Sequence, residues 1–195
     1  MNKLVIASGN TGKLREFQSM LAPLKIEVLT QSQLGIGEAE EPHCTFIENA
    51  LAKARHASKL SGLPALADDS GICVNALGGA PGVCSARYAG EPKSDGRNNA
   101  KLLQEMRGVA DRRAHYYCVL VLVRHADDQQ PVIAEGDWHG EIAQGTRGEG
   151  GFGYDPLFWL PNFGKMSSEL SREEKARVSH RAMAMQTLLQ RLQQT

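Results

Sequence analysis

Apolar residues occur along this chain in short runs, and stretches with helically spaced apolar positions lie between the runs. Runs of about four to eight apolar residues are typical of buried strands, and their alternation with amphipathic helices is typical of an α/β protein. Strands are predicted at residues 4–7, 26–29, 63–67, 72–74, 114–123, 132–142 and 157–160. The longest run is nearly unbroken from Tyr116 onward, which predicts a central strand that is covered on both faces.

Helices are predicted where apolar residues recur at intervals of three and four positions. Thr45 and Glu48 form a capping-box pattern that begins a helix, and Gly62 ends it. Ser171 and Glu174 form a second capping-box pattern, which opens a C-terminal helix. The apolar stripe of that helix comprises Val178, Ala182, Met185, Leu189 and Leu192. Two further helices are predicted, from Leu14 to Leu21 and at residues 98–106.

Length and composition limit the classes of protein that this chain can represent. With 195 residues it is long enough for one domain with a substantial core, or for two lobes that share a sheet. Lys and Arg together number 22, as do Asp and Glu, and the zero net charge argues against a dedicated nucleic-acid or membrane-surface binder. The first apolar stretch is too short for a signal peptide, and no run approaches the roughly 20 residues of a membrane helix. We therefore expect a soluble, cytoplasmic protein.

The four cysteines do not form a metal-binding pattern. They lie at positions 44, 73, 84 and 118, without a C-x-x-C pair and without a histidine at ligand spacing. This argues against a structural zinc site and predicts reduced thiols.

The segment Ser8-Gly9-Asn10-Thr11-Gly12-Lys13 lies between the first predicted strand and the first predicted helix. A strand, a glycine-rich turn and a helix can direct backbone N–H groups and a helix dipole at an anion, and Lys13 adds a mobile positive charge. The segment is not a Walker A loop, because Ala7 and Leu14 stand where that motif requires Gly and Ser or Thr. It is either a phosphate-binding turn or an ordinary capped turn.

Two adjacent carboxylates, Asp68 and Asp69, follow the apolar run at 63–67, and Ser70 and Gly71 come next. We expect the pair to interrupt the sheet, since a strand resumes at residue 72. Paired acids at the rim of a sheet can bind a divalent cation or orient a water molecule, although Asp-Ser-Gly is also ordinary turn chemistry. The acidic residues Glu38, Glu40 and Glu41 are either solvated surface groups or ligands of the same cation.

A glycine-rich loop at residues 145–156 and a basic cluster lie in the C-terminal third of the chain. Glycines on both sides of Phe152 leave the ring with an open face, which suits an aromatic that stacks on a base. Lys175, His180 and Arg181 lie off the apolar stripe of the last helix, where basic residues are usually solvated. Whether that helix runs straight through Ser179 is left open by the sequence.

Five motifs occur together in one order that is specific to a known family. They are S-G-N-x-x-K at 8–13, F-I-E-N-A at 46–50 with Lys53, A-D-D-S-G at 67–71, G-G-F-G-Y-D-P at 150–156 and S-H-R at 179–181. In these motifs the chain closely resembles the inosine/xanthosine triphosphate pyrophosphatases, over essentially its whole length. Ser8 stands where many relatives have Thr, and both residues carry a hydroxyl that can donate to phosphate.

The resemblance implies a single domain over residues 1–195, with an elongated, mixed, twisted central sheet flanked by helices and an active-site cleft between two lobes. It implies a homodimer that requires Mg²⁺ and acts on a small nucleoside triphosphate, with no nucleic acid or membrane as partner. The implied reaction is hydrolysis of ITP, dITP or XTP between the α and β phosphorus atoms, which yields the nucleoside monophosphate and pyrophosphate.

The resemblance also implies roles for individual residues. Glu41 and Asp69 would bind Mg²⁺, with Asp69 also the general base and Asp68 in support of the metal. Phosphate and substrate contacts are implied for Ser8, Gly9, Asn10, Thr11, Gly12, Lys13, Lys53 and Ser70. Base contacts are implied for Phe152, Gly153, Tyr154, Asp155, Lys175, His180 and Arg181.

Arg181 is expected to favour purines with a 6-keto group, because a cationic donor pairs with that acceptor and would face an unpaired donor on adenine. How guanine is excluded is not visible in the sequence. Two other functions stay open: a Maf-like pyrophosphatase that acts on other nucleotides, and a nucleotide-binding module without catalysis.

Overall fold

The computed structural model describes residues 2–193. Its strands are β1 (Lys3–Ile6), β2 (Glu27–Thr30), β3 (Ala65–Val74), β4 (Arg113–Val123), β5 (Val132–Ile142), β6 (Phe158–Leu160) and β7 (Lys165–Met166). Its α-helices are α1 (Thr11–Leu21), α2 (Phe46–Ser61), α3 (Asp95–Glu105), α4 (Arg172–Val178) and α5 (His180–Leu192). Short 3-10 segments lie between them, among them Gly82–Arg87.

The described strands form one seven-stranded sheet in the order β2-β1-β3-β4-β5-β6-β7. β1 is parallel to both β2 and β3, whereas β6 is antiparallel to both β5 and β7. The sheet is therefore mixed, which confirms the predicted α/β class with a mixed central sheet.

The chain divides into two compact units. The first comprises the residues up to Asp69, Cys118–Gly136 and the residues from Arg181 onward, and the second comprises Ser70–Tyr117 and Asp137–His180. Strands β3, β4 and β5 each contribute residues to both units.

The first unit is built around a core of aliphatic side chains and one aromatic ring. Phe17 and Leu21, four positions apart on α1, are buried against apolar residues of β1, β3, β4, β5 and α5. Burial of a large apolar side chain contributes roughly 1.5–3 kcal/mol. The fully buried members of this core are Leu4, Ile6, Phe17, Leu21, Leu66, Cys118, Leu120, Leu122, Ala134, Ala184, Met185 and Leu188.

The second unit contains a cluster of buried aromatic rings. The Tyr116 ring lies 4.8 Å from the Phe158 ring in an edge arrangement and 6.4 Å from the Trp138 ring, measured between centroids. Its other close neighbour is His180, at 4.7 Å and nearly parallel. Tyr116, Trp138, Phe158 and His180 are all buried, so the packing of flat rings takes the place that aliphatic contacts hold in the first unit.

The predicted interruption of the sheet between residues 67 and 72 is wrong. β3 is a single strand that carries Asp68 and Asp69 in its interior. Its pairing with β1 ends where Ile6 lies opposite Leu66, so both acids follow just beyond the end of β1. Aspartate is disfavoured in strands, but here each carboxylate is paired with a cationic side chain, which offsets the cost of burial.

The C-terminal helix is not continuous, which answers the question that the sequence left open. Ser179 is extended, with φ −71° and ψ 159°, and it separates α4 from α5. The third helix begins three residues before the predicted position 98, because the Ser94 side chain caps it by accepting from the backbone N–H of Arg97.

Two predictions from composition can be compared with the structure. Among residues 2–193 there is no helix with the length and apolarity needed to cross a membrane. All four cysteines are free thiols.

Candidate active site

The loop at residues 8–13 is organised by Asn10, which caps α1. The side-chain oxygen of Asn10 accepts hydrogen bonds from the backbone N–H groups of Gly12 and Lys13, at 2.9 and 3.0 Å. The backbone N–H of Asn10 donates to Ser8 Oγ at 3.2 Å. Since those two helical N–H groups are engaged by the cap, the Ser8 hydroxyl and the Lys13 ammonium are the groups best suited to meet an anion in this conformation.

Two further residues of the same loop are shaped by their surroundings. A Cβ atom on Gly9 would overlap the carboxylate of Glu38, so glycine permits the close approach of that side chain. Thr11 is the first residue of α1 and is exposed. Glu38, one of the open candidates for a cation ligand, thus lies beside the loop.

Asp68 is the buried anchor of the first unit. Its Oδ2 accepts from Lys13 Nζ at 2.8 Å and from Arg181 Nη2 at 3.0 Å, and Arg181 also donates through Nη1 to Glu16. Although burial opposes its charge, Lys13 and Arg181 hold the pKa of Asp68 well below its ordinary value. Asp68 is therefore a permanent anion that fixes two cationic side chains.

Lys53 lies between two carboxylates. Its Nζ is 2.7 Å from Glu41 Oε1 and 3.1 Å from Asp69 Oδ1. Asn49 lies one turn earlier on α2, and its Nδ2 is 3.4 Å from Asp69 Oδ2. Asn49 also exchanges two hydrogen bonds with the backbone of His43. One face of α2 therefore holds both the charge partner and the amide partner of Asp69.

The two adjacent aspartates have pKa values shifted in opposite directions. Burial raises the pKa of Asp69 above its ordinary value, and Lys53 only partly counteracts this. Burial would lower the pKa of Lys53, but the carboxylates of Asp69, Asp68 and Glu41 together raise it. A carboxylate with a raised pKa beside a fixed cation is suited to accept a proton.

The donors around Lys53 also fit a divalent cation. Glu41 and Asp69 direct hard carboxylate oxygens at a single positive charge, here the ammonium of Lys53. Mg²⁺ is usually bound by one or two carboxylates together with water and substrate phosphates, rather than by a cage of protein ligands. Residues 2–193 contain no group of three or more His, Cys, Asp or Glu that could hold a metal ion.

Ser70 and Gly71 open the second unit. Ser70 is half-buried in β3. A Cβ atom on Gly71 would overlap the carbonyl oxygen of Gly82 and lie 2.5 Å from Ser85 Oγ. Ser85 Oγ also accepts from the backbone N–H of Ile72 at 2.9 Å. Glycine is required here by close packing of the backbone and not by a turn.

Asp155 connects the glycine-rich loop to α4. Its Oδ2 accepts from the backbone N–H of Phe152 at 2.8 Å and from Lys175 Nζ at 2.5 Å. Its Oδ1 accepts from Ser167 Oγ at 2.8 Å. Because both oxygens of this buried carboxylate are engaged, Asp155 fixes the positions of Phe152 and Lys175.

Phe152 and Lys175 lie side by side. Lys175 Nζ is 4.9 Å from the centroid of the Phe152 ring, within the range of a cation–π contact. Phe152 is half-buried, whereas Lys175 is buried.

Gly153 and Tyr154 are held by hydrogen bonds to other parts of the second unit. Gly153 has φ +63°, a conformation that favours glycine. Its backbone N–H donates to Asp95 Oδ2 at 2.7 Å, and its carbonyl accepts from Asn99 Nδ2 at 3.0 Å. Tyr154 is buried and donates its hydroxyl proton to the carbonyl of Ser85 at 2.8 Å.

The three basic residues that were predicted to read the base have different surroundings. Lys175 contacts Asp155 and Phe152, as described. The buried imidazole of His180 stacks on Tyr116, with the ring planes only 9° apart. Arg181 is among the largest fully buried side chains, and its two terminal nitrogens lie on Asp68 and Glu16.

Several residues that organise the site were not predicted from the sequence: Glu16, Asn49, Asp95, Asn99 and Ser167. For the helical pairs a usable signal exists. Asn49 lies four positions before Lys53, and Asp95 lies four positions before Asn99, so each pair shares one helix face. The contact of Glu16 with Arg181 joins positions 165 residues apart and has no local signal.

Comparison with known proteins gives consistent results. A model of the Ham1 family matches residues 4–191. A dITP/XTP pyrophosphatase of Ralstonia nicotianae is 66% identical over 98% of this chain and 97% of its own length. One of Nitrosomonas europaea is also 66% identical, over 98% of this chain and 95% of its own length. The structure of a HAM1 protein from Coxiella burnetii has a TM-score of 0.92 at 43% identity, with both chains fully covered.

Proposed function

The chain belongs to the Ham1 family, and from this membership and its site geometry we propose that it is a nucleoside triphosphate pyrophosphatase. The proposed substrates are non-canonical purine nucleotides, namely ITP, dITP and XTP, and the products are the nucleoside monophosphate and pyrophosphate. Full-length relatives at 58–66% identity carry the name dITP/XTP pyrophosphatase, which supports this choice of substrate class.

The observation that carries the proposal is the placement of Lys53 between Glu41 and Asp69, beside the ion pair of Lys13 with the buried Asp68. A triphosphate carries roughly four negative charges, and attack by water requires that these be neutralised and held in place. Lys13 and Lys53 supply fixed positive charge for this purpose. Ser8 supplies a hydroxyl donor at the end of β1.

Asp69 is the proposed general base. Its raised pKa favours acceptance of a proton from the attacking water, and the Asn49 amide and Lys53 ammonium keep the carboxylate in one orientation. Asp68 has a different role, because its depressed pKa makes it a poor proton acceptor. We assign it to the positioning of Lys13.

Mg²⁺ is the proposed cofactor, with Glu41 and Asp69 as its protein ligands. When bound, the ion would neutralise phosphate charge and polarise a phosphoryl oxygen. Asp68 would support these groups through Lys13 rather than as a ligand, since its Oδ2 already accepts from two cations.

Recognition of the purine is assigned to the second unit, with Phe152 as the stacking surface and Lys175 as the adjacent cationic donor. Asp155 orients both of them. The buried position of Arg181 on Asp68 and Glu16 favours a positioning role over direct contact with the base. Selection of the 6-keto group is then assigned to Lys175, with His180 held beside Tyr116.

Three further properties stay predictions: the homodimer, a cytoplasmic location, and one domain with two lobes. Equilibrium sedimentation of the purified protein tests the first of these.

A substrate panel tests the proposed activity. ITP, dITP, XTP, ATP and GTP are incubated separately with the protein and Mg²⁺, and pyrophosphate and orthophosphate are measured separately. Pyrophosphate release from the first three with little from ATP and GTP is expected. Equal turnover of ATP and ITP, or release of orthophosphate, would favour a Maf-like or phosphatase activity. Binding without turnover by the wild-type protein would favour the non-catalytic module.

A further inference from the structure

Helix α3 holds one residue of the glycine-rich loop, Gly153, by hydrogen bonds to both its N–H and its carbonyl group. Asp95 Oδ2 accepts from the backbone N–H of Gly153 at 2.7 Å, and Asn99 Nδ2 donates to the carbonyl oxygen of the same residue at 3.0 Å. Asp95 and Asn99 are four positions apart and therefore lie on one face of the helix. The pair matches the donor and the acceptor of a single residue, so it fixes both its position and its orientation.

The helix that carries this pair is itself anchored. Ser94 caps its first turn by accepting from the backbone N–H of Arg97. The neighbouring Asn98 is buried, accepts from the backbone N–H of Ala89 at 2.8 Å and donates to the carbonyl of Ala86 at 3.0 Å. The pair on α3 thus projects from a rigid support.

Gly153 lies between Phe152 and Tyr154 in the glycine-rich loop. Phe152 precedes it, with its backbone N–H on Asp155, and Tyr154 follows it, with its hydroxyl on Ser85. Rotation of the Gly153 peptide would displace the Phe152 backbone, and with it the ring that lies beside Lys175.

We propose that Asp95 and Asn99 are positioning residues that set the orientation of the Phe152 ring for purine stacking, an inference that rests on the proposed function. They act through the Gly153 peptide and do not contact the base. Their effect is on binding of the base and hence on substrate discrimination, and not on the chemical step at Asp69.

The surroundings of Asn99 support this role. Asn99 is buried, and its Oδ1 has no hydrogen-bond partner among residues 2–193, so the side chain satisfies only part of its hydrogen-bonding capacity. A buried amide of this kind costs stability that an apolar side chain would not, and its one described side-chain hydrogen bond is to Gly153. The residue is therefore explained by what it does to the loop.

Steady-state kinetics with ITP test the proposal. Asn99→Ala and Asp95→Ala are each expected to raise KM by about fivefold to tenfold, with kcat within about twofold of the wild-type value, which is the size of effect that loss of one hydrogen bond produces. Asp95→Asn keeps an acceptor oxygen for the Gly153 N–H but removes the charge at the start of the helix. It is expected to restore KM to near the wild-type value.

Gln104→Ala is the matched control, because Gln104 is an exposed residue of the same helix whose side chain does not contact the loop. Wild-type KM is expected. A KM increase in Asp95→Asn equal to that in Asp95→Ala would assign the effect to helix charge and overturn the proposal. A fall in kcat together with a fall in melting temperature in Asn99→Ala and Asp95→Ala would likewise show a merely structural role.

A double-mutant cycle decides whether the pair acts through the ring. If it does, Asn99→Ala raises KM in the wild type but adds less than about twofold in a Phe152→Ala background. Full additivity would overturn the proposal.

Backbone amide exchange at Gly153, followed by NMR, requires no substrate. Faster exchange in Asp95→Ala with unchanged exchange in Gln104→Ala is expected, and equal exchange in both would overturn the clamp itself. A wild-type protein that does not hydrolyse ITP would refute the proposed function, and the exchange result would stand independently of it.

Discussion

The proposed phosphate-binding groups of the first unit and the proposed base-binding groups of the second are held in place by different forces. Lys13, Lys53 and Asp69 are oriented by opposite charges, most of them buried. Phe152 and Gly153 are oriented by hydrogen bonds from their backbone to fixed side chains. An ion pair holds a side chain in place while the side chain keeps its charge, as a phosphate-binding group requires. Hydrogen bonds from the backbone instead fix the orientation of an uncharged ring.

The largest effect is expected when a charge network in the first unit loses one member. Arg181→Met keeps the volume of the side chain but leaves Asp68 and Glu16 without their shared guanidinium. Removal of one partner from a buried pair typically costs about 3–5 kcal/mol of folding free energy. Urea unfolding measures it.

Arg113→Met is the control for this variant. Arg113 forms an ion pair with Asp111 on the surface, with 71% of its side chain exposed, and its removal is expected to change stability little. Equal losses of unfolding free energy in the two variants would show that burial adds nothing to the Arg181 ion pairs. Buried ion pairs would then not be what holds the charged groups of the first unit in place.

Asp69→Asn is expected to separate catalysis from stability. Turnover should fall by a factor on the order of 10² or more, because the proposed general base is lost. The folded-state pKa of Asp69 is raised, so the stability linked to its protonation is present at low pH and lost as pH rises through that value. In metal-free protein at pH 8 the variant should therefore be more stable than the wild type.

Asp68→Asn is expected to lower the stability of the metal-free protein at pH 8. The pKa of Asp68 is depressed, so its contribution is present above the unfolded-state value and is lost only as the pH falls far below it. Melting curves recorded in EDTA show whether each variant is more or less stable than the wild type. Asn variants that shift the melting temperature in the same direction would contradict the opposite pKa shifts of the two neighbours.

Phe152→Ala tests the aromatic side of the comparison and should have a smaller effect. Loss of stacking on a base costs about 1–3 kcal/mol, which corresponds to roughly fivefold to 150-fold weaker binding of ITP. Phe163→Ala serves as the control, since Phe163 is an exposed aromatic in the turn between β6 and β7. Isothermal titration of the inactive Asp69→Asn background measures the affinity, and unchanged binding would refute the stacking role.

The smallest and most direct test is a carboxyl titration of metal-free protein by carbon-13 NMR. Asp69 should titrate above the ordinary aspartate value of 3.8, because burial disfavours its charge. Asp68 should stay ionised to the lowest pH at which the protein is folded, since Lys13 and Arg181 stabilise its anion. Overlapping titrations would show that the two sites share one environment.

Much of the fold follows from local rules. The Thr45 and Ser171 caps and the strand at 132–142 lie where the pattern of the sequence predicts them, because capping and strand periodicity depend on neighbouring residues. The continuity of β3 was not predictable, since aspartate disfavours strands and its cationic partners lie far away in the chain.

The charged residues of the candidate site were predicted from the sequence, but the residues that hold them in place were not. Lys53, Glu41 and Asp69 lie together, although Glu41 belongs to none of the five motifs. The partners of Arg181 are 113 and 165 residues away, and nothing near position 181 indicates that the guanidinium is buried. A motif marks which residue types meet, and the tertiary contacts decide whether each one faces the substrate or its neighbours.

Cys118 gives the first unit a built-in reporter of local opening. Its thiol is completely buried in the apolar core near Asp68 and Arg181, and burial raises its pKa to about 12. Cys44 and Cys84 are exposed. A thiol reagent should therefore modify these two cysteines first and the half-buried Cys73 more slowly, and it should reach Cys118 only in molecules whose core has transiently opened. The rate of modification at Cys118, located by peptide mapping, measures how often the core of the first unit opens, without any substrate, metal or mutation.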